Sequence, residues 1–175
     1  MIAYPIGRSG QNLVLSDKVL SHFRHRRQLR WYQREAGGQL FARVESGQIL
    51  VEEATGPRWT DRRTRHTYMP DRRAEQREIL RRHRQGLHFV GDWHTHAERV
   101  PVPSPLDLES MTDAFRRSTH ALNAFVLIIV GQADPPEGLH VLVCDASGGY
   151  KLRPLGEPLS ELHPPTPYKP VRRIL

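Results

Sequence analysis

The sequence predicts an α/β domain of three layers, a mixed sheet flanked by helices, on three observations. β-rich runs alternate with amphipathic ones, turn-forming residues separate them, and 175 residues suffice for one core but not for two ordinary domains. Apolar residues make up 38% and charged residues 26%, which excludes a disordered chain. The longest apolar run, AFVLIIV at 124–130, is strand length and too short to span a membrane.

Each element follows from a local signal. QNLVL at 11–15 reads as a strand, and Ser16 then caps a helix to about Gln28 that gathers Val19, Leu20 and Phe23 on one face. GGQLFARVE at 37–45 and QILVEEA at 48–54 are split by the hairpin signal Ser46-Gly47, and with RTRHTYM at 63–69 they predict an antiparallel meander. Pro70-Asp71 opens a second helix, about 71–85, that Gly86 stops; its thin stripe of Ala74, Ile79 and Leu80 leaves most of it facing water. LHFVGDW at 87–93 returns to strand. After the proline-punctuated loop HAERVPVPSP, Ser104 is placed to cap a third helix from Pro105 to Arg117, with Leu108, Met111 and Phe115 on one face. Strands at 123–130 and 139–145 follow, joined by ADPPEG. Residues 1–150 are therefore expected to form one domain, and the proline-rich 151–175 an extended tail.

The net charge of +7 is regional: residues 58–84 sum to +6, residues 16–34 to +5, and the rest to −4. Two solvated basic faces account for this, and an arginine-rich nucleic-acid-binding module is the alternative. The aromatics interleaved with the 58–84 arginines are few, Trp59 and Tyr68, so nucleic acid is not the expected partner. The single cysteine, Cys144, rules out an internal disulfide and a multi-cysteine zinc site; in LHVLVC it reads as a buried, inert thiol. With no basic start followed by an apolar stretch at the N-terminus, the expected compartment is the cytoplasm.

The chemistry is concentrated where the strand at 87–93 ends. There the chain reads His94-Thr95-His96, with Ser104 and Asp107 following. Alternate residues of an extended segment point the same way, so both imidazoles can face one ion, and Asp107 in the first turn of the third helix offers a carboxylate. A His₂Asp set suits zinc and leaves a fourth position for water, as catalytic sites do. Glu35, directly before Ala36-Gly37-Gly38, is the candidate general base, although Asp92 and Glu98 also flank the histidines and compete for the acidic roles. Ser104 caps its helix, donates to an oxyanion, or does both. Trp93 reads as core. A lone His-x-His is commonplace in a chain with 10 histidines; the full His-x-His-x₇-Ser-x₂-Asp string is not.

That string, with Glu35 in REAGGQLFA and GDWHTH from Gly91 to His96, resembles the signature of the JAMM-type zinc metalloproteases, and the order of elements fits over about 10–146. The resemblance implies a cytidine-deaminase-like fold and one Zn²⁺ per chain held by His94, His96 and Asp107. It also implies Glu35 as base, Ser104 as oxyanion donor, and cleavage of a peptide or isopeptide bond at the C-terminus of a ubiquitin-like protein or its conjugate. Ala97 departs from the proline usual after the second histidine, which bears on loop rigidity and not on ligation. The small single-domain form resembles the prokaryotic branch, including the peptidases of anti-phage CBASS operons that deconjugate a nucleotidyltransferase. A non-catalytic scaffold of the same fold is the rival, but such a scaffold would be expected to lose ligands, and none is missing here.

Overall fold

The computed structural model describes residues 1–156. The strands β1 (Ile2–Pro5), β2 (Asn12–Leu15), β3 (Gly37–Glu45), β4 (Gln48–Ala54), β7 (His88–Thr95), β8 (Phe125–Val130), β9 (Leu139–Cys144) and β10 (Gly149–Lys151) form one mixed sheet in the order β1-β2-β4-β3-β7-β8-β9-β10. β5 (Arg62–Arg63) and β6 (Tyr68–Met69) pair only with each other. The helices are α1 (Asp17–Arg26), α2 (Arg72–His83) and α3 (Pro105–Arg117). The α/β expectation holds, and no helix among the described residues is long and apolar enough to cross a membrane.

Helix ends form where capping chemistry puts them. The Ser16 hydroxyl accepts from the amide of Val19, Asp71 accepts from Arg73 and Ala74, and Ser104 accepts from Asp107 with Pro105 at the first helical position. α1 buries Val19, Leu20 and Phe23 in the larger core, where Phe23 meets Trp93 with ring centroids 5.1 Å apart. α3 buries Leu108 and Met111 in a second core with Phe125, Leu127, Ile129, Leu142 and Cys144. β8 is buried along its whole length because its side chains divide between these two cores. Burial pushes the Cys144 thiol up to about 12, so it is inert at neutral pH.

The expected meander needs correction. The hairpin at Ser46-Gly47 forms, with Gly47 at a φ of 82°, but the 63–69 run does not extend it. Arg65 and His66 instead turn between β5 and β6, and the side-chain oxygen of Thr64 caps that turn through the amide of His66. The meander is replaced at its other edge: β4 pairs in parallel with β2, and β2 pairs antiparallel with β1, a strand at Ile2–Pro5 that short-range patterning did not predict. The first residues of the proline-rich segment run along the domain. β10 pairs with β9, Leu152 is buried, and Leu155 donates to the carbonyl of Ala3. The expectation for 157–175 lies outside the described residues.

β7 carries an irregularity that decides which side chains face where. Its register against β3 slips between Leu40 and Phe41, so that Gly91 sits opposite Leu40 and Phe89 opposite Phe41. Val90 and Trp93 therefore face the larger core with α1, whereas Phe89 packs on the second core. Gly91 has a φ of 147°, and a Cβ there would lie 1.9 Å from the carbonyl oxygen of Val126.

The basic 58–84 segment is largely knitted into this frame. Arg58 bonds Gln39, Arg63 the carbonyl of Glu35, Arg65 the carbonyls of Arg30 and Trp31, Arg72 bonds Glu75, and Arg82 bonds Glu53 and Glu78. These contacts give the local charge excess a structural use.

Candidate metal centre

Beyond Trp93 the strand continues to Thr95, so His94 lies within β7 rather than in the loop after it. Trp93 and Thr95 are buried on the α1 side; His94 and His96 point the other way, toward the N-terminus of α3. The rigid loop returns the chain so that Asp107 meets them. His94 Nε2 lies 3.3 Å from Asp107 Oδ1, His96 Nε2 lies 3.5 Å from Asp107 Oδ2, and the two Nε2 atoms are 3.1 Å apart. Among the described residues these three form a group whose donor atoms could hold a metal ion.

The separations fit zinc. Bonds of about 2.0–2.1 Å in a tetrahedron put neighbouring donors about 3.3–3.4 Å apart, close to all three distances here. Two neutral imidazole nitrogens facing each other at 3.1 Å present lone pair to lone pair, so a proton or a cation must lie between them. The side chains are 13%, 15% and 17% exposed, buried enough to exclude most water and open on one side to the cleft.

Asp107 is doubly held. Its Oδ2 accepts from the amide of Ser104 at 2.7 Å while the Ser104 hydroxyl accepts from the amide of Asp107 at 3.2 Å, a reciprocal capping box. Burial works against its charge, but hydrogen bonds from His94 and His96 and from Ser104 outweigh it and hold the carboxyl far below the usual range. The α3 N-terminus favours the same negative charge. For His96, burial opposes the imidazolium, yet Asp107, Glu35 and Glu98 together raise its pKa.

Glu35 is 8% exposed and lines the same cleft, of about 840 Å³, as His94, His96, Ser104 and Asp107. The contact with the histidine strand follows from register: Gly37 stands opposite His94 and Gly38 opposite Trp93. Both glycines are required by close approach, since a Cβ on Gly38 would lie 1.8 Å from the carbonyl oxygen of Thr55. Burial, opposed by His96 and reinforced by Asp107, pushes Glu35 up to about 7. Such a carboxyl stabilises the metal-free fold fully below about pH 4.3, its unfolded value, and that contribution is lost as pH rises through about 7. Relative to Glu35→Gln, the metal-free wild type should therefore lose stability across that window, as urea unfolding at several pH values would show; parallel profiles would contradict it.

The Ser104 hydroxyl accepts from the amide of Asp107, bonds the Asp107 carboxylate in turn, and lines the cleft. Ser104→Ala should lower stability by about 1 kcal/mol by removing the cap, measured by urea unfolding. Of the acidic rivals, Asp92 lines the cleft without joining the donor group, and burial beside Glu75 pushes it up to about 7. Glu98 accepts from the amide of Val102 and shapes the loop. Tyr68, which the sequence offers as part of a strand and as an aromatic among the 58–84 arginines, also lines the cleft. It donates to Asp61, and burial with that carboxylate pushes its phenol up and keeps it neutral.

A family model described as prokaryotic homologs of the JAB domain matches residues 16–144. A Pseudomonas aeruginosa protein named CD-NTase/cGAS isopeptidase is 37% identical over 100 residues, which cover 54% of this chain and 62% of that protein. The aligned stretch thus spans less than two thirds of that relative. An Escherichia coli protein of the same name is 25% identical over 126 residues, 70% of this chain and 78% of that one. The solution structure of a Desulfitobacterium hafniense protein shares the fold, with a TM-score of 0.57 at 18% identity, covering 79% of this chain and 88% of that one.

Proposed function

This chain belongs to the prokaryotic homologs of the JAB domain, and on that premise we propose that it is a zinc-dependent isopeptidase with His94, His96 and Asp107 as ligands of one ion. Its substrate is a peptide or isopeptide bond at the C-terminus of a ubiquitin-like protein or its conjugate. The relatives' name supports a CD-NTase/cGAS-type nucleotidyltransferase as the conjugated protein, released by the reaction as part of anti-phage defence. The observation that carries the reading is the two imidazoles and one carboxylate with approaches of 3.1 Å between the Nε2 atoms and 3.3 and 3.5 Å from them to Asp107 Oδ1 and Oδ2, open on one side to a cleft.

When bound, zinc lowers the pKa of water and polarises a carbonyl. The chain supplies the rest. Glu35, pushed up to about 7, is suited to take a proton from water at neutral pH and return it to the leaving amine. The Ser104 hydroxyl, which lines the cleft beside Asp107, would donate to the oxyanion that develops on the scissile carbonyl. Asp107, already fixed by the capping box, loses little freedom on ligation.

The test is direct. Purified chain loaded with zinc should carry about one ion and split a nucleotidyltransferase conjugate into its two proteins, read by gel shift and intact mass; chelation should stop it and zinc restore it. A zinc-loaded chain that leaves every such conjugate intact would sink the proposal.

A further inference from the structure

Behind the metal centre, on the α1 side of the sheet, a buried polar knot joins the segment that carries Glu35 to the strand that carries both histidines. Thr95, fully buried between His94 and His96 in sequence, points away from them. Its hydroxyl accepts from the amide of Ala36 at 2.9 Å, and its own amide donates to the Ala36 carbonyl at 2.8 Å. The residue after the candidate base is thereby tied twice to the residue between the ligands.

Proton counting leaves this knot one arrangement. Gln28 Oε1 can only accept, so the Thr95 hydroxyl, which accepts from the Ala36 N–H, donates its proton to that oxygen, 3.0 Å away. The Gln28 amide nitrogen then donates to the carbonyls of Gln33 and Arg65, at 3.2 and 3.0 Å. Gln28 is 1% exposed, and its backbone carbonyl accepts from Gln132 Nε2 at 2.8 Å. The two chain segments on either side of Glu35, the 29–33 loop and the 64–67 turn, are held by the same amide, and the Glu35 amide itself donates to Thr64. A buried amide with all its bonds satisfied is costly to disturb and specifies one geometry.

We propose that Thr95 and Gln28 are positioning residues, a clamp that sets the Glu35 carboxyl relative to the metal ligands without touching either metal or substrate. The kinetic part of the proposal rests on the isopeptidase reading; the structural part does not. The clamp also gives the residue between the histidines a purpose that ligation alone does not require.

The experiment compares Thr95→Val, which keeps the shape and removes the hydroxyl, with Thr95→Ser, which keeps the hydroxyl, in the zinc-loaded full chain. Thr95→Val should raise amide hydrogen exchange at Ala36 at least about 10-fold and lower kcat on the conjugate about 10- to 100-fold, with KM and zinc content unchanged. Thr95→Ser should stay within about 3-fold of wild type in every readout. Unchanged protection at Ala36, a serine variant as impaired as the valine one, or loss of zinc with the kcat drop would each overturn the clamp. Should Thr95→Val fail to fold, Gln28→Leu carries the same test from the other end, and wild-type kcat with wild-type exchange at Ala36 and Gln33 would overturn it. A wild type that binds zinc yet cleaves no conjugate would remove the isopeptidase reading, while the exchange rates would still decide the clamp.

Discussion

His94→Ala should retain no stoichiometric zinc and show no measurable hydrolysis. Removing that imidazole leaves His96 and Asp107, one nitrogen and one carboxylate, where a catalytic zinc site uses three protein ligands. Loss of even an outer partner of a ligand commonly costs 10- to 100-fold in metal affinity, so loss of a ligand should cost at least about 100-fold. Because His94 is 13% exposed and its ring meets only His96 among the aromatic contacts, the variant should fold, with its secondary structure unchanged by circular dichroism. Metal analysis after gel filtration and titration against a chromophoric chelator measure the affinity. A variant that keeps one tightly held ion would show that the ion sits elsewhere.

Glu35→Gln should separate metal from turnover. The amide matches the carboxyl in size and hydrogen-bonding reach, so the buried site keeps its shape and should hold zinc at wild-type stoichiometry. What disappears is the group that accepts and returns a proton, a role worth about 10²- to 10⁴-fold in rate. The loss should fall on kcat, with KM for the conjugate little changed. Steady-state kinetics with metal content measured on the same samples decides it; cleavage at the wild-type rate would exclude Glu35 from the chemistry. The two variants together distinguish a residue that holds the ion from one that works beside it.

The parts of the site that could be read from the sequence are those written locally. His94 and His96 share a face because β-strand periodicity is two, and Ser104 and Asp107 meet because three positions at a helix start form a capping box. The same spacing that marks them as a motif is the spacing that makes them hydrogen-bond. The loop between them returns the chain so that Asp107 meets the histidines, as the distances show.

Glu35 was different. Its position 59 residues before His94 says nothing about distance, and only the pairing of Gly37 with His94 brings the two segments together. The same long-range pairing hides β1, whose Ile2–Pro5 segment is short and ends in proline but finds a partner in β2. The 63–69 run misled because its alternation suited a strand, whereas Thr64 and Thr67 bond each other across the turn and break it. The clamp of Gln28 and Thr95 left no trace at all: both are polar residues in unremarkable contexts until the fold places them 3.0 Å apart in the interior.

The slip in β7 at Gly91 acts as a phase shift in a two-beat rhythm. Upstream of it Phe89 keeps time with the second core; downstream Trp93 and Thr95 keep time with the first, and His94 and His96 fall on the off-beat that faces the cleft. Deleting a single residue between 88 and 92 would restore a regular count and force a choice, with either the aromatic packing or both histidines turned to the wrong side. The histidine strand is therefore intolerant of any change in length between Phe89 and His94.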